Sequence, residues 1–215
     1  MFRIPVLAAL LLLVWAGAAT ARMTPSVHVD EVVPPRARES RPPVAPGSPG
    51  QLVVVPGRSH SAAAGALRFV VEVEGGLSVD RIAFARRVTR ILRHRRSWTT
   101  PFQRVASGPV DFRVTLASPA LTDRLCAPLL TNGIFSCAGG GRAVLNARRW
   151  LEGAAAYGSR LDRYRTYMVN HEVGHLLGLG HASCPAAGAP APVMMQQTKG
   201  VAPCRPNPWP LAWER

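Results

Sequence analysis

The chain has 215 residues, of which 47% are hydrophobic and 18% charged, and its formal net charge at pH 7 is +14. Such a positive charge suggests nucleic-acid binding as a possible function, but we discount this hypothesis. Nearly all the positive charge is arginine in a chain also rich in alanine, glycine and proline, a bias that GC-rich coding produces without selection for a partner. We identify no stacking aromatics that interleave with the basic residues, as expected for a single-strand binder. We expect weak attraction to anionic cell-envelope polymers or acidic substrates instead.

Residues 1–21 have the features of a secretory signal peptide. Arg3 precedes an apolar run from Ile4 to about Ala19, and Ala19, Thr20 and Ala21 form a small-residue cleavage site. The run is shorter than the roughly 20 residues that a membrane-spanning helix prefers. We therefore expect secretion to the cell envelope or the extracellular space, with anchoring by an uncleaved signal as the alternative.

Residues 22–50 are rich in proline, arginine and serine and show no apolar period. This composition predicts a disordered tether, and a propeptide is an alternative that no motif supports. The remaining residues, 51–215, are enough for one domain with a hydrophobic core.

The apolar pattern predicts strands and helices in alternation. Strands are expected at residues 67–73, 102–106, 110–116 and 142–147, where apolar residues alternate with others. The first of them is expected to bury one face. Between it and the second, the apolar period from Arg81 predicts an amphipathic helix that Ser78 caps and that ends near His94. A second helix is expected over residues 161–177. The order β, α, β, β, loop, β, α predicts an α/β sheet.

The most informative segment is HEVGHLLGLGH at residues 171–181. His171 and His175 are four residues apart, so on a helix they lie on one face and point to a common metal. Gly178 follows three residues later and allows the chain to leave the helix and turn. That turn would bring His181 back as a third nitrogen ligand and leave the fourth position of a tetrahedral Zn²⁺ open, as in catalytic sites.

Glu172 follows the first of these histidines but is rotated by about 100° around the helix axis. We expect it to reach a zinc-bound water rather than the metal. Zinc lowers the pKa of such a water to about 7 and polarises a peptide carbonyl. Glu172 would then be the general base that takes the water proton and passes it to the departing amine. The predicted reaction is peptide hydrolysis.

This segment resembles the metzincin group of zinc endopeptidases, whose signature HExxHxxGxxH it matches at every fixed position. The resemblance implies a zincin-like α/β (α+β) fold, in which a mixed twisted sheet packs on two long helices and a small coil-rich C-terminal subdomain contains a methionine turn. APVMMQQ at residues 191–197 is the candidate for that turn. Met194 resembles the usual pattern more closely than Met195, and both remain candidates. Ala182 after the third histidine, and the lack of a tyrosine after the methionine, leave subfamily and substrate open.

Residues 50–210 also resemble a domain of unknown function found in exported actinobacterial proteins. The stretches that carry this resemblance are RFVVEVEGGL, HRRSW, LNARRW, NHEVGHLLGLGH, APVMMQQ and NPWP. It implies export and a zincin-like fold but no established substrate.

The chain has four cysteines, an even number that favours disulfides in an exported protein. Three pairings are possible. We prefer Cys126 with Cys137 and Cys184 with Cys204, because each pair closes a short loop rich in glycine and proline on one side of the metal-bearing helix. Cys184 as a metal ligand is the disfavoured alternative, since three histidines already fill the protein's share of a catalytic site.

Several other residues have ordinary packing as their first interpretation. Core positions are expected for Trp98, Tyr157, Tyr164 and Tyr167, and packing rather than a cleft position for Trp209 and Trp213. Asn170 is either a partner of a group around the metal or a surface amide. His28, His60 and His94 are expected to be solvated.

Together these features predict a secreted, monomeric zinc endopeptidase that acts on peptide or protein substrates. If an edge segment such as residues 134–138 pairs with an extended substrate, binding would need little sequence preference. The alternatives are a catalytically silent zincin-fold module that captures peptides or has a structural role in the envelope, and a basic envelope-adhesion protein.

Overall fold

A computed structural model describes residues 49–60 and 63–215. The predicted signal peptide and residues 22–48 of the predicted tether lie outside the described residues. In the described part, the main elements are six strands and four α-helices. The strands are β1 (Leu52–Val54), β2 (Leu67–Glu74), β3 (Phe102–Arg104), β4 (Phe112–Ala117), β5 (Cys137–Gly139) and β6 (Arg142–Asn146). The helices are α1 (Arg81–Leu92), α2 (Pro119–Cys126), α3 (Ala147–Glu152) and α4 (Leu161–Leu176).

The strands form one mixed sheet in the order β1-β2-β4-β6-β5. Strands β2, β4 and β6 are parallel, whereas β1 and β5 pair antiparallel at the two ends. Strand β3 pairs in parallel with the first residues of β2, from Leu67 to Phe69. The predicted α/β class is therefore confirmed as a mixed sheet with helices.

Both faces of strand β2 are covered, and the expectation of one buried face is wrong. On one face, Phe69, Val71 and Val73 belong to the main core, which also includes apolar residues of α1 and α4. On the other face, Glu72 and Glu74 are buried as well. These carboxylates are tolerated because each has partners, including Arg113 and Arg142 for Glu72 and two backbone amides for Glu74. The alternation of apolar and polar residues along β2 therefore shows that its second face is polar, but it does not show that this face is exposed to solvent.

Several element boundaries differ from the sequence prediction. Helix α1 is capped by Asp80, whose Oδ1 accepts from the amide of Ala83, and not by Ser78; it ends at Leu92 rather than near His94. Strands β1 and β5 and helices α2 and α3 were not predicted. The two strands have three residues each, and the two helices complete about two turns or fewer, so none of these elements shows a clear apolar period.

The segment between α4 and the short 3-10 helix at Ala212–Glu214 contains neither an α-helix nor a strand of the sheet. It is held by turns and by a bridge between Pro190 and Arg205. Among the described residues, no helix is both long and apolar enough to cross a membrane.

Candidate metal centre

Helix α4 carries three of the four residues of the predicted site and lies in the interior of the fold. It contacts β5 and β6 on one side and α1 on another. Residues from Met168 to Gly174 are buried without interruption, which explains why α4 lacks the one-sided apolar stripe of a surface helix. His171, Glu172 and His175 are therefore fixed to a rigid and well-packed element.

The chain leaves helix α4 and turns at Gly178, as we predicted from the sequence. Helix α4 ends at Leu176, and Gly178 has a φ of +89°, in the left-handed region that glycine adopts without steric cost. The amide of Leu179 then donates to the carbonyl of Gly174 at 3.1 Å. This turn reverses the chain and returns His181 toward the helix.

The three histidines come together. The ligand nitrogens that His171, His175 and His181 offer all lie within 4.8 Å of one another. Ring centroids are 4.8 Å apart for His171 and His175, 4.7 Å for His175 and His181, and 5.4 Å for His171 and His181. Nitrogens bound to one zinc ion at about 2.0–2.1 Å lie no more than about 4 Å apart. The predicted cluster is present, at close to the separation that a shared cation needs.

Two of the imidazoles are held in one tautomer by backbone carbonyls. The Nδ1 of His171 lies 2.7 Å from the carbonyl oxygen of Val193, and the Nδ1 of His175 lies 2.8 Å from that of Leu179. A carbonyl oxygen only accepts, so each Nδ1 carries the proton and donates it. The Nε2 of each neutral ring then keeps its lone pair. This is the arrangement in which metal-binding histidines are commonly held by their surroundings.

The surroundings of His171 and His181 favour the uncharged form of these two imidazoles. Burial, with smaller contributions from the neighbouring rings of His175 and His181, lowers the pKa of His171 to about 3 against the opposing effect of the Val193 carbonyl. Burial also lowers the pKa of His181, with smaller contributions from His175 and Lys199. Neutral imidazole is the form that binds divalent transition metals.

Glu172 is a buried carboxylate without a partner in the described part of the protein. Its side chain is only 6% exposed, and no described residue donates a hydrogen bond to it or forms an ion pair with it. Burial alone raises the pKa of its carboxyl to about 8. A buried acid with neither hydrogen bond nor counter-charge is costly, so its position beside three imidazoles indicates a functional group rather than a structural one.

The four residues of the predicted site line one open cavity of about 470 Å³. One part of the lining comes from β5 and the segment before it, and another comes from Gln196, Thr198 and Lys199. Leu130 lies at this cavity with 86% of its surface exposed. A cavity of this size is in the range of substrate-binding clefts.

The methionine segment packs beneath the helix. A turn brings the amide of Met195 to the carbonyl of Pro192 at 3.0 Å. Met194 is 2% exposed and its sulfur lies against Gly174, whereas the Met195 side chain is only half-buried. The structure thus places Met194 next to the helix that carries two of the histidines, as the residue pattern favoured.

The four cysteines form the two disulfides that we preferred. Cys126 pairs with Cys137 at a Cα–Cα distance of 6.0 Å, and Cys184 pairs with Cys204 at 5.8 Å. The first bridge closes the segment that forms one wall of the cavity. The second encloses the methionine turn. Cys184 is therefore engaged in a disulfide and does not act as a metal ligand.

Other sequence expectations have mixed outcomes. Trp98 and the tyrosines Tyr157, Tyr164 and Tyr167 are buried as expected. Trp209 is half-buried and stacks on His94 at 4.4 Å. The expectation that Trp213 packs is wrong, since it is 65% exposed.

Asn170 is fully buried and is not a surface amide. Its Oδ1 accepts from the hydroxyl of Ser97, and its Nδ2 donates to the carbonyl of Pro208. It therefore ties α4 to the segment after α1 and to the C-terminal coil, rather than to a histidine. His60 is exposed as expected, and His28 lies outside the described residues.

Sequence reasoning missed the polar residues that hold the methionine turn in place. The hydroxyl of Tyr167 donates to the carbonyl of Met195 and accepts from the amide of Gln197. Gln197 is fully buried and also bonds to Tyr157 and Asn207. The carboxylate of Glu214 accepts from two amides of the turn. No local pattern signals these contacts, because they join residues that are distant in the sequence.

A family model described as "Protein of unknown function (DUF3152)" matches residues 42–211. This match agrees with the resemblance found for residues 50–210. No curated protein shows significant similarity to the chain. The comparisons therefore identify a family without an assigned activity, and the chemistry must be inferred from the site.

Proposed function

The chain belongs to the DUF3152 family of proteins of unknown function, and for it we propose the activity of a zinc-dependent endopeptidase. The observation that carries this proposal is the convergence of His171, His175 and His181 in one open cleft beside the buried Glu172, which has no partner among the described residues. A structural zinc usually has four protein ligands, whereas a catalytic one has three. Three imidazoles next to a free carboxylate fit the catalytic class.

The three imidazoles would hold the metal through nitrogen atoms that the protein leaves available. The Nε2 atoms of His171 and His175 keep their lone pairs because each Nδ1 donates to a carbonyl, and His181 is the exposed member of the set. When bound, zinc supplies Lewis acidity that polarises a peptide carbonyl and makes water more acidic. We infer zinc rather than magnesium or calcium, since those ions prefer oxygen ligands.

Glu172 is the proposed general base and acid. Its carboxylate is free of hydrogen bonds from the described protein, so its oxygens remain available to a water molecule in the cleft. It would accept a proton from the attacking water and transfer that proton to the nitrogen of the departing amine. The burial that raises the pKa of this carboxyl to about 8 favours acceptance of the water proton, and transfer of that proton to the amine returns Glu172 to the carboxylate form.

The proposed substrate is a peptide in an extended conformation. Strand β5 lies at one end of the sheet order and, among the described strands, pairs with β6 alone; it contributes Cys137 and Ala138 to the cleft wall. An extended substrate that pairs with the outer edge of β5 would run through the cleft beside the three imidazoles. Main-chain pairing of this kind gives affinity with little dependence on sequence.

We further infer the zincin-like architecture of metzincins. In support, the segment HEVGHLLGLGH is followed by a turn whose Met194 packs against α4. We also propose export, on the signal-peptide pattern of residues 1–21, with retention by an uncleaved signal as the alternative. The two disulfides fit an oxidising compartment.

The proposal is tested by metal analysis and peptide-library cleavage with purified wild type, Glu172→Ala and Glu152→Ala. Glu152 is an exposed carboxylate paired with Arg148, so it serves as the matched control. We expect wild type and Glu152→Ala to contain one zinc ion and to cleave peptides. Glu172→Ala should retain the metal and lose cleavage by at least about 100-fold, the lower range for loss of a general base.

Two results would count against the enzyme. If wild type cleaves nothing that Glu172→Ala leaves intact, the peptidase function is wrong. If wild type then still binds zinc and extended peptides without turnover, the chain is a peptide-binding module. Binding to anionic polymers that is unaffected by chelators and is lost when salt is added would instead favour an adhesion protein.

A further inference from the structure

Glu214 places a buried carboxylate behind the metal centre. The residue lies in the 3-10 helix at Ala212–Glu214 and is 6% exposed. Its Oε1 accepts from the amide of Met194 at 2.9 Å, and its Oε2 accepts from the amides of Val193 at 3.0 Å and Leu211 at 2.7 Å. No lysine or arginine of the described protein pairs with it. Its negative charge is therefore directed onto the methionine turn.

One peptide group connects this carboxylate to His171. The carbonyl of Val193 and the amide of Met194 belong to the same peptide unit. Its oxygen accepts from the Nδ1 of His171 at 2.7 Å, and its N–H donates to the Oε1 of Glu214 at 2.9 Å. The result is a continuous relay from carboxylate to peptide to imidazole.

The relay has a physical consequence at the opposite side of the ring. A negative charge at the N–H end polarises the peptide and increases the negative partial charge on its oxygen, which strengthens the hydrogen bond to Nδ1. A stronger acceptor at Nδ1 increases the basicity of Nε2 and fixes the rotation of the ring. Carboxylates that act directly on metal-bound histidines have the same effect.

We propose that Glu214 is a positioning residue of the metal centre, acting on His171 through the peptide group of Val193 and Met194. It orients the imidazole and increases the affinity of Nε2 for a divalent cation. This inference rests on the metal site of the proposed function but assigns a role that the HExxHxxGxxH segment does not contain.

The direct test is Glu214→Gln, which keeps the shape of the side chain and removes its charge. The matched control is Glu152→Gln, at an exposed carboxylate far from these contacts in sequence. Zinc dissociation constants are measured by competition with a chromophoric chelator, and Co²⁺ absorption spectra report the ligand field. We expect Glu214→Gln to weaken zinc binding about tenfold and to shift the Co²⁺ bands, with the control unchanged.

The outcomes separate a positioning role from a purely structural one. If metal-free Glu214→Gln is folded by circular dichroism and binds zinc with the wild-type constant, the inference is wrong. If wild type binds no zinc, both the role of Glu214 and the proposed function are wrong. Neither conclusion requires a measurement of peptide cleavage.

A second measurement on wild type covers the case in which Glu214→Gln does not fold. The imidazole N–H protons are compared by NMR in the zinc-loaded protein. His175 is an internal reference, because its Nδ1 also donates to a carbonyl, that of Leu179, at 2.8 Å, without a carboxylate assigned behind it. We expect the Nδ1–H of His171 to resonate further downfield. Equal shifts for the two protons would overturn the relay.

Discussion

The sulfur of Met194 lies against Gly174, the glycine between the two histidines of α4. A Cβ atom added at position 174 would overlap that sulfur and would lie 2.8 Å from Cζ2 of Trp98. The absence of a side chain at this position therefore allows the methionine turn to approach the helix. The same turn supplies the carbonyl of Val193 to His171, so the close packing at Gly174 and the orientation of His171 both depend on the position of this turn.

Gly174→Ala should destabilise the protein in spite of its better helix propensity. Alanine gains about 1 kcal/mol in a helix interior, but overpacking of a core costs typically about 1–3 kcal/mol. Both neighbours are buried and cannot move aside freely, so we expect a net loss of about 1–2 kcal/mol. Chemical denaturation with chelator present measures it. Gly139→Ala is the control, because an added Cβ there meets no heavy atom of the described residues within 4 Å beyond its chain neighbours. Equal stability of both variants would contradict the packing argument.

His181→Ala should separate metal binding from folding. His181 is exposed and follows the helix, so its removal should change the unfolding free energy of the metal-free protein by no more than about 0.5 kcal/mol. Zinc affinity should fall by more than the 10–100-fold typical of residues behind the ligands. Denaturation and chelator competition measure the two effects. His60→Ala, at another exposed histidine, should change neither, and an unchanged zinc affinity of His181→Ala would remove it from the ligand set.

Much of the site could be predicted because its signals are local. The spacing of His171, His175 and His181 and the turn at Gly178 are set within eleven residues by helix geometry. Glu214 could not be predicted, because its partners Val193 and Met194 are 21 and 20 residues away in sequence. Only the folded chain shows such contacts.

The fold was predictable to a similar extent. Strands β2, β4 and β6 and helices α1 and α4 were recognised from their apolar periods, whereas β1, β5, α2 and α3 were not. The covered second face of β2 also escaped prediction, since Glu72 has the sequence character of a solvated residue. Its burial depends on arginines of two other strands.

Removal of the disulfide Cys126–Cys137 should weaken substrate binding but not zinc binding. The bridge closes a segment of the cleft wall that includes Leu129 and Leu130. Replacing both cysteines with serine should lower the unfolding free energy by about 2–4 kcal/mol and raise KM, because the wall must be ordered on binding. Zinc content should stay at the wild-type level. Loss of zinc at temperatures where the variant remains folded would show that this wall supports the metal centre instead.

Pairing of the substrate with β5 predicts sensitivity to changes in the substrate backbone. N-methylation of a peptide amide that bonds to the strand removes one hydrogen bond, worth about 0.5–1.5 kcal/mol. KM should therefore increase by up to about tenfold at alternate positions of a scanned peptide, since successive amides of a strand point in opposite directions. Steady-state cleavage kinetics with a series of singly methylated peptides measure KM at each position. A uniform response along the peptide would exclude strand pairing.

The account depends most on a divalent cation held by His171, His175 and His181. Anomalous diffraction from a crystal of the zinc-loaded protein, collected on both sides of the zinc absorption edge, tests this directly. We predict one anomalous peak about 2.0–2.1 Å from a ring nitrogen of each histidine, with Glu172 near the metal but not bound to it. A crystal whose zinc lies elsewhere, with the three rings unliganded, would contradict the account.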